Sequence, residues 1–183
     1  MTRRGRISTL QLKYCGVGMW LALTGARLDA AGALASGLAT QMTRRDRLPS
    51  LLGALQDARA GSIEEVLRTH ADSLDTTAAA EALQRQSTGF DAKTLAALNQ
   101  AWRGQATEQI IAAHSPASVA CTFELLQAAR SLSLPQALEL ELDAAKRAIR
   151  HPDFIEGVRA VLVDKHRRPR WSEASTRGHA ALV

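Results

Sequence analysis

Two strong helix-start signals stand in the carboxy-terminal part of the chain, each followed by apolar residues at helical spacing. Ser115 and Pro116 form the first. Serine is a common N-cap residue, and proline is favoured at the first helical position, where a backbone N–H would have no partner within the helix. Ser133 and Gln136 form the second, a capping box. The pattern predicts one helix that runs to about Arg130 and an amphipathic helix of about four turns after Ser133. The apolar positions of that amphipathic helix are Leu134, Leu138, Leu142, Ala145 and Ile149.

Further helix signals lie on either side. The apolar run from Val17 to Thr24 ends at Gly25, a typical helix stop. Asp29 to Ala35 predicts a short helix, which Ser36 and Gly37 close.

Three more helix starts are predicted. Ser62 with Glu65 has the pattern of another capping box, and Asp91 can cap a helix that runs towards Trp102. Asp153, followed by Glu156, begins the last helix. One face of that helix carries Phe154, Val158, Val161 and Leu162.

Signals for strands are nearly absent. Leu38 to Met42 is the one stretch with an extended prediction, and residues 70–90 are predicted to be variable and partly looped. Apolar residues make up 46% of the chain, and most are alanine or leucine, which favour helices. The residues alone therefore predict a soluble, mainly α domain.

The net charge of +5 is concentrated at the amino terminus, because residues 1–28 carry five basic and no acidic side chains. A smaller basic group contains Lys165, Arg167, Arg168 and Arg170. A nucleic-acid surface would need clustered basic residues with aromatic ones between them, and aromatic residues make up only 4% of the chain. Solvated side chains near the chain ends are the preferred interpretation, and no nucleic-acid partner is predicted.

The usual catalytic motifs are missing from the sequence. There is no GxSxG elbow, P-loop or GxGxxG pattern, and the lone pair Gly16 and Gly18 carries little information. The five histidines show no HxxxH or HExxH spacing, so no metal site is predicted. Cys15 and Cys121 both lie in apolar runs, where small core residues are more common than nucleophiles.

Two segments resemble a known family. LALTGARLDAAGALASGLAT, Leu21 to Thr40, is similar to the crotonase pattern of a helix ending in threonine-glycine, an alanine-rich helix and a strand. Gln41 then stands where histidine is typical. The second segment, Ser115 to Trp171, contains DFIEGVRAVLVDK and a later proline and tryptophan. This ending resembles the 3-hydroxyisobutyryl-CoA hydrolases of the crotonase superfamily, and the likeness is weakest over residues 60–110.

The resemblance implies a fold class and a domain division. The expected fold is mainly α: the helical carboxy-terminal half of a crotonase-like α/β fold, with at most one or two short strands. Residues 1–16 would form a basic start, 17–173 the helical region and 174–183 a tail. In the family, the amino-terminal half supplies the β-sheets, the oxyanion-hole amides and an acidic catalytic residue. No position here matches those groups, so no catalytic residue is predicted.

The resemblance also implies that Lys165 approaches the phosphates of coenzyme A, since a lysine near this helix can do so in crotonases. A solvated lysine after a helix is the alternative, and the preferred one. Arg159 and Glu156 are spaced for a structural ion pair. Trp171 is predicted to anchor the tail by packing, with stacking on the adenine as the alternative.

The leading functional hypothesis is a fragment or subunit of an acyl-CoA thioester hydrolase that resembles 3-hydroxyisobutyryl-CoA hydrolase, an enzyme of valine breakdown. Its substrate would be an acyl-CoA, without a metal or redox cofactor, and the chain alone is expected to be inactive. Two alternatives stay open: a piece of an enoyl-CoA hydratase or isomerase, and a non-catalytic helical oligomerisation or interaction module. Exposed apolar faces would cause self-association, or association with a crotonase-like subunit, and poor solubility.

The start of the chain imitates a targeting segment, with Arg3, Arg4 and Arg6 ahead of the apolar run that begins at Val17. The resemblance explains that run as a buried helix of the domain. A signal or transit peptide is therefore rejected. No run approaches the roughly 20 apolar residues of a membrane span, so a cytoplasmic protein without a membrane partner is predicted.

Overall fold

A computed structural model of the chain describes residues 16–59 and 61–172, which form ten α-helices and no strand. A 3-10 turn at Arg45–Arg47 precedes the third helix, and a π-helical turn at Arg159–Val163 follows the last. The predicted mainly α fold class is confirmed. The helices are α1 (Val17–Thr24), α2 (Ala30–Ser36), α3 (Leu48–Gln56), α4 (Ile63–His70), α5 (Thr77–Gln86), α6 (Leu95–Trp102), α7 (Ala106–Ala112), α8 (Pro116–Ala129), α9 (Leu134–Ala148) and α10 (Pro152–Val158).

Helix α1 packs against α5, α7 and α8, as expected for a helix that is apolar on every side. Val17 and Leu23 are buried at its two ends. Gly25 follows with a φ of 66°, and its N–H donates to the carbonyl of Leu21. The left-handed region favours glycine, so Gly25 ends the helix where the sequence predicts.

The main core is built from α1, α2, α5, α6, α7 and α8. Phe90, in the loop before α6, is buried there, and its ring centroid lies 5.7 Å from that of Trp102. The prediction that residues 70–90 are partly looped is confirmed: residues 71–76 form a loop, whereas Thr77–Gln86 form α5 and bury Leu83. The alanines of this segment favour a helix.

Several predicted helix starts are confirmed by the caps. The Asp29 carboxylate accepts a hydrogen bond from the Gly32 N–H at 2.7 Å at the start of α2. The Ser115 hydroxyl accepts one from the Ser118 N–H at 3.2 Å at the start of α8. Ser133 and its partner three residues later form the predicted capping box of α9. Side-chain caps of this kind satisfy amides that the helix itself leaves free.

Two predicted caps are wrong. Ser62 precedes α4, but its hydroxyl donates to the carbonyl of Arg59 instead of capping the helix, so the predicted capping box with Glu65 does not form. Asp91 does not cap α6 either, because that helix begins after Thr94, whose hydroxyl accepts from an N–H of the first turn. The helix α4 thus begins directly after Ser62, as predicted, but without the predicted side-chain cap.

The extended prediction for Leu38 to Met42 is also wrong. The segment is irregular: the Ala39 N–H donates to Ala33 at the end of α2, and the Met42 carbonyl accepts from Asp72. A strand needs a neighbouring strand to pair its N–H and C=O groups. The described residues supply no such neighbour, so the backbone pairs with helix ends and turns.

Helix α9 packs through its alanines rather than its leucines. Ala137 and Ala144 are buried, and Ala144 joins Ala117 and Cys121 of α8 in a small second core. The predicted helix is therefore correct, but its apolar stripe does not enter the core. Four residues of that stripe are 36–55% exposed: Leu134, Leu138, Leu142 and Ile149.

Cys121 is buried, as predicted, whereas Cys15 lies outside the described residues. Burial raises the pKa of the Cys121 thiol, and the nearby Glu124 acts in the same direction. A raised pKa disfavours the thiolate, the form in which cysteine acts as a nucleophile. Cys121 is thus a core residue. Among the described helices, none has both the length and the apolar character to cross a membrane.

Candidate functional site

A cleft of about 550 Å³ lies between the end of α1, the start of α8 and one face of α10. One wall is hydroxyl-bearing, with Ser118 and Thr122 on successive turns of α8. The opposite wall is the predicted apolar face of the last helix, which continues from α10 into the π-helical turn. Its side chains are 39–67% exposed: Phe154, Val158, Val161 and Leu162. We call these four residues the apolar wall.

Asp153 fixes α10 against α8. Its carboxylate is 3% exposed and accepts a hydrogen bond from the Ser115 hydroxyl at 2.5 Å. The second carboxylate oxygen accepts from the Ser172 N–H at 2.8 Å. Hydrogen bonds to a buried carboxylate are among the strongest in a protein. The Asp153 side chain therefore connects the start of α10 with the start of α8 and with the segment that contains Ser172. Asp153 therefore positions the apolar wall.

Trp171 closes one end of the cleft. Its indole N–H donates to the carbonyl of Ala113 at 3.1 Å. The ring lies over Gly157, where an added Cβ would meet it at 3.5 Å. The predicted role of Trp171 as a packing anchor is confirmed, while stacking on an adenine stays untested.

The predicted ion pair of Glu156 and Arg159 is confirmed. Two guanidinium nitrogens of Arg159 donate to the two oxygens of Glu156 at 2.7 and 2.8 Å, and Arg159 also pairs with Asp164. The Arg170 N–H donates to Glu156 at 2.7 Å. The hydrogen bonds from Arg159, and then that from Arg170, lower the pKa of Glu156 from 4.5 to about 2. Glu156 thus connects the basic residues 165–170 to α10.

The contribution of Glu156 to stability should disappear in acid. Because its folded-state pKa is depressed, the contribution is fully present above pH 4.5 and is lost as the pH falls towards about 2. Chemical denaturation of wild type and Glu156→Gln at pH 7, 4 and 3 measures this. The gap in unfolding free energy should shrink steadily with acid, whereas Glu139→Gln, on exposed α9 surface, should show no such gap. A gap that is constant with pH would contradict the assignment.

Lys165 is exposed, with a φ of 59°, in the segment after the π-helical turn. It does not line the cleft, and in residues 16–172 as described its side chain has no ion-pair partner. The position is compatible with both interpretations of the sequence. Contact between Lys165 and a CoA phosphate therefore stays a prediction.

The carboxylates that line the described cleft can be compared with what thioester hydrolysis requires. Such a reaction needs donors aimed at the developing oxyanion and a carboxylate that attacks or moves a proton. Among the described residues that line the cleft, Asp153 is the only carboxylate, and both its oxygens accept structural hydrogen bonds. The described residues also place no three His, Cys, Asp or Glu side chains together as metal ligands.

The family now follows from comparison with known proteins. A family model described as enoyl-CoA hydratase/isomerase matches residues 7–181. The chain therefore belongs to the enoyl-CoA hydratase/isomerase family, and the resemblance to crotonases is confirmed.

Within this family, the chain is similar to mitochondrial 3-hydroxyisobutyryl-CoA hydrolases. It is 33% identical to that of Homo sapiens over 172 residues, which cover 86% of this chain and 45% of the relative. It is 32% identical to that of Gallus gallus, over 87% of this chain and 45% of the relative. For Xenopus tropicalis the identity is 29%, over 85% and 44%. The chain thus spans less than half the length of the curated relatives it matches.

Proposed function

We propose that the chain forms the helical carboxy-terminal part of an acyl-CoA thioester hydrolase that acts on 3-hydroxyisobutyryl-CoA in valine breakdown. The similarity to relatives of that name, over 85–87% of the chain, supports this most directly. Acyl-CoA would be the substrate, and no metal or redox cofactor is proposed.

The catalytic groups would come from the part of the relatives that this chain does not match, more than half of their length. The structural role of Asp153 supports this division, because the one carboxylate of the described cleft is already engaged. Residues 1–183 alone would then release no thiol. The helices would instead complete and shield a site that another segment supplies.

We further propose that this other segment covers the apolar wall. Large aliphatic side chains are rarely left exposed in a contiguous row unless another surface packs on them. The wall is rigidly placed by Asp153 and Trp171, so it offers a fixed surface for docking. Because these side chains are 39–67% exposed in the chain alone, full burial would contribute on the order of 1 kcal/mol for each of them.

A chimera tests this proposal. The part of the human relative that precedes its matched segment is joined to residues 7–183, and thiol release from 3-hydroxyisobutyryl-CoA is measured. The intact relative serves as the positive control. Release by the folded chimera at a rate within about tenfold of the relative is expected, that is, within about 1.4 kcal/mol in activation free energy. A cooperatively folded chimera without release would contradict the proposal.

The docking surface has its own control within that chimera. Leu162→Glu places a charge on the apolar wall, so it should lower both thermal stability and thiol release. Leu52→Glu changes a comparably exposed leucine of α3, 59% against 67%, and should change neither. Equal behaviour of the two variants would show that the wall is not covered.

The two alternatives lead to different outcomes. A piece of an enoyl-CoA hydratase or isomerase would not complete the hydrolase site, so its chimera with the hydrolase part should release thiol far more slowly than the intact relative. A helical interaction module would associate without any turnover. The cytoplasmic location stays part of the proposal, and because the relatives carry mitochondrial names, fractionation of a cell that expresses the full chain would test it.

A further inference from the structure

The chain between α2 and α5 contains a segment that belongs to neither core. We call the described residues 43–59 and 61–72 the arm. None of them is buried, and none of their apolar side chains packs against the core clusters. The helices on either side of the arm, α2 and α5, bury Ala35 and Leu83 and pack on each other. The arm therefore leaves and rejoins the domain between two helices that are held together without it.

The two helices of the arm pack on each other. Helices α3 and α4 have nine and eight residues, and isolated helices of that length are marginal in water. Some of their apolar side chains stay well exposed, for example Leu52 at 59% and Ile63 at 50%. Few buried apolar contacts are typical of segments that open at a lower free energy than the core. The arm has this property.

Asp72 closes the arm at its base. Its carboxylate oxygens accept hydrogen bonds from the Arg44 N–H and from the Arg47 guanidinium, both at 2.8 Å. Its own N–H donates to the carbonyl of Met42 at 2.8 Å. We call these three contacts the clasp. The hydrogen bond from Arg44, and then that from Arg47, lower the pKa of Asp72, so the bonds are of the stronger, charge-assisted kind at neutral pH.

We propose that the arm unfolds as one unit while the cores of the domain stay folded, and that the clasp sets how often the arm opens. The packing of α2 on α5 supports the first part, because the core keeps its contacts when the arm opens. The position of the clasp supports the second part, because it joins residues 28 positions apart along the chain and so restricts both ends of the arm. This inference does not depend on the proposed enzymatic function.

Hydrogen exchange of the full 183-residue chain tests the proposal, because exchange from the folded protein measures the opening of each unit. Amides of α3 and α4 should have protection factors within about threefold of each other, and at least about 100-fold below those of α1 and α8. Equal protection of the arm and of α8 would overturn the proposal, since both would then open together. Widely different protection of α3 and α4 would also overturn it, because the arm would not be one unit.

Asp72→Ala tests the clasp. It should lower the protection of both α3 and α4 by about tenfold, because an ion pair and a charge-assisted hydrogen bond are lost, and leave that of α1 and α8 unchanged. Asp57→Ala is the matched control: Asp57 follows the end of α3, away from the clasp, so protection should change by less than about twofold. Equal effects of the two variants would refute the role of the clasp. Loss of the whole fold in Asp72→Ala would refute separate opening.

Gly53→Ala should act in the opposite direction. Gly53 lies within α3, where an added Cβ would meet no atom within 4 Å, and alanine is the better helix former. Protection should rise by about two- to fivefold in α4 as well as in α3, without a change in α1 or α8. A rise confined to α3 would show that the two helices open separately and would contradict the proposal.

Discussion

Replacing Asp153 by alanine is expected to lower the free energy of unfolding by about 3 kcal/mol, with a fall in Tm of roughly 10 °C. The substitution removes the buried carboxylate that accepts hydrogen bonds from the Ser115 hydroxyl and from the Ser172 N–H. A buried donor that loses its acceptor destabilises the fold by its full desolvation cost. Urea denaturation monitored by far-ultraviolet circular dichroism measures the change.

Two comparisons make the Asp153 result specific. Asp143→Ala, at an exposed position on α9, should change stability by less than about 0.5 kcal/mol. Ser115→Ala combined with Asp153→Ala should cost clearly less than the two single changes added, because the two residues share one hydrogen bond. A loss below about 1 kcal/mol in Asp153→Ala would show that the carboxylate does not hold α10 in place.

Gly89→Ala should destabilise the chain by about 3 kcal/mol. Gly89 has a φ of 83°, which L side chains rarely adopt, and an added Cβ would lie 2.5 Å from the Cβ of Ala101 on α6. The neighbouring Phe90 and Trp102 belong to the main core, so the loop cannot move away without opening it. The same denaturation experiment measures the loss.

Gly53→Ala is the matched control, with an expected effect of the opposite sign. Gly53 lies within α3, has no positive φ, and an added Cβ would meet no atom within 4 Å. Alanine should therefore stabilise the helix by about 0.5 to 1 kcal/mol. If Gly89→Ala were as harmless as Gly53→Ala, the close approach of the loop to α6 would be wrong.

Local signals in the sequence predicted most of the helices. Gly25, Asp29, Ser115 and Ser133 act where the sequence places them, because a cap and its helix are neighbours along the chain. Ser62 precedes α4 as predicted, but its hydroxyl donates to the carbonyl of Arg59 and does not cap the helix. Cap signals thus locate helices well but do not decide between alternative local partners.

The candidate site depended on contacts that local signals do not contain. Ser115 was a cap and Asp153 a helix start in the sequence, yet their hydrogen bond joins residues far apart along the chain. The sequence predicts an amphipathic α9 with its leucines on one face, whereas Ala144 packs against Ala117 and Cys121 of α8. Periodicity identifies an apolar face, but the partner of that face decides whether it is buried.

The exposed surfaces and the half-length similarity lead to the same account. The chain matches its relatives over less than half of their length, and the described residues leave two apolar surfaces without a partner in the protomer. Under the proposed function, the part of the relatives that this chain does not match would cover the apolar wall.

Thiol release from 3-hydroxyisobutyryl-CoA by residues 1–183 alone, next to a control without protein, tests the central claim most directly. A cooperative thermal melt must first show that the protein is folded. The account predicts release at the rate of the control, because the described cleft offers no carboxylate that is not already engaged by structural hydrogen bonds. Release well above the control would show that these helices carry a catalytic group themselves and would contradict the account.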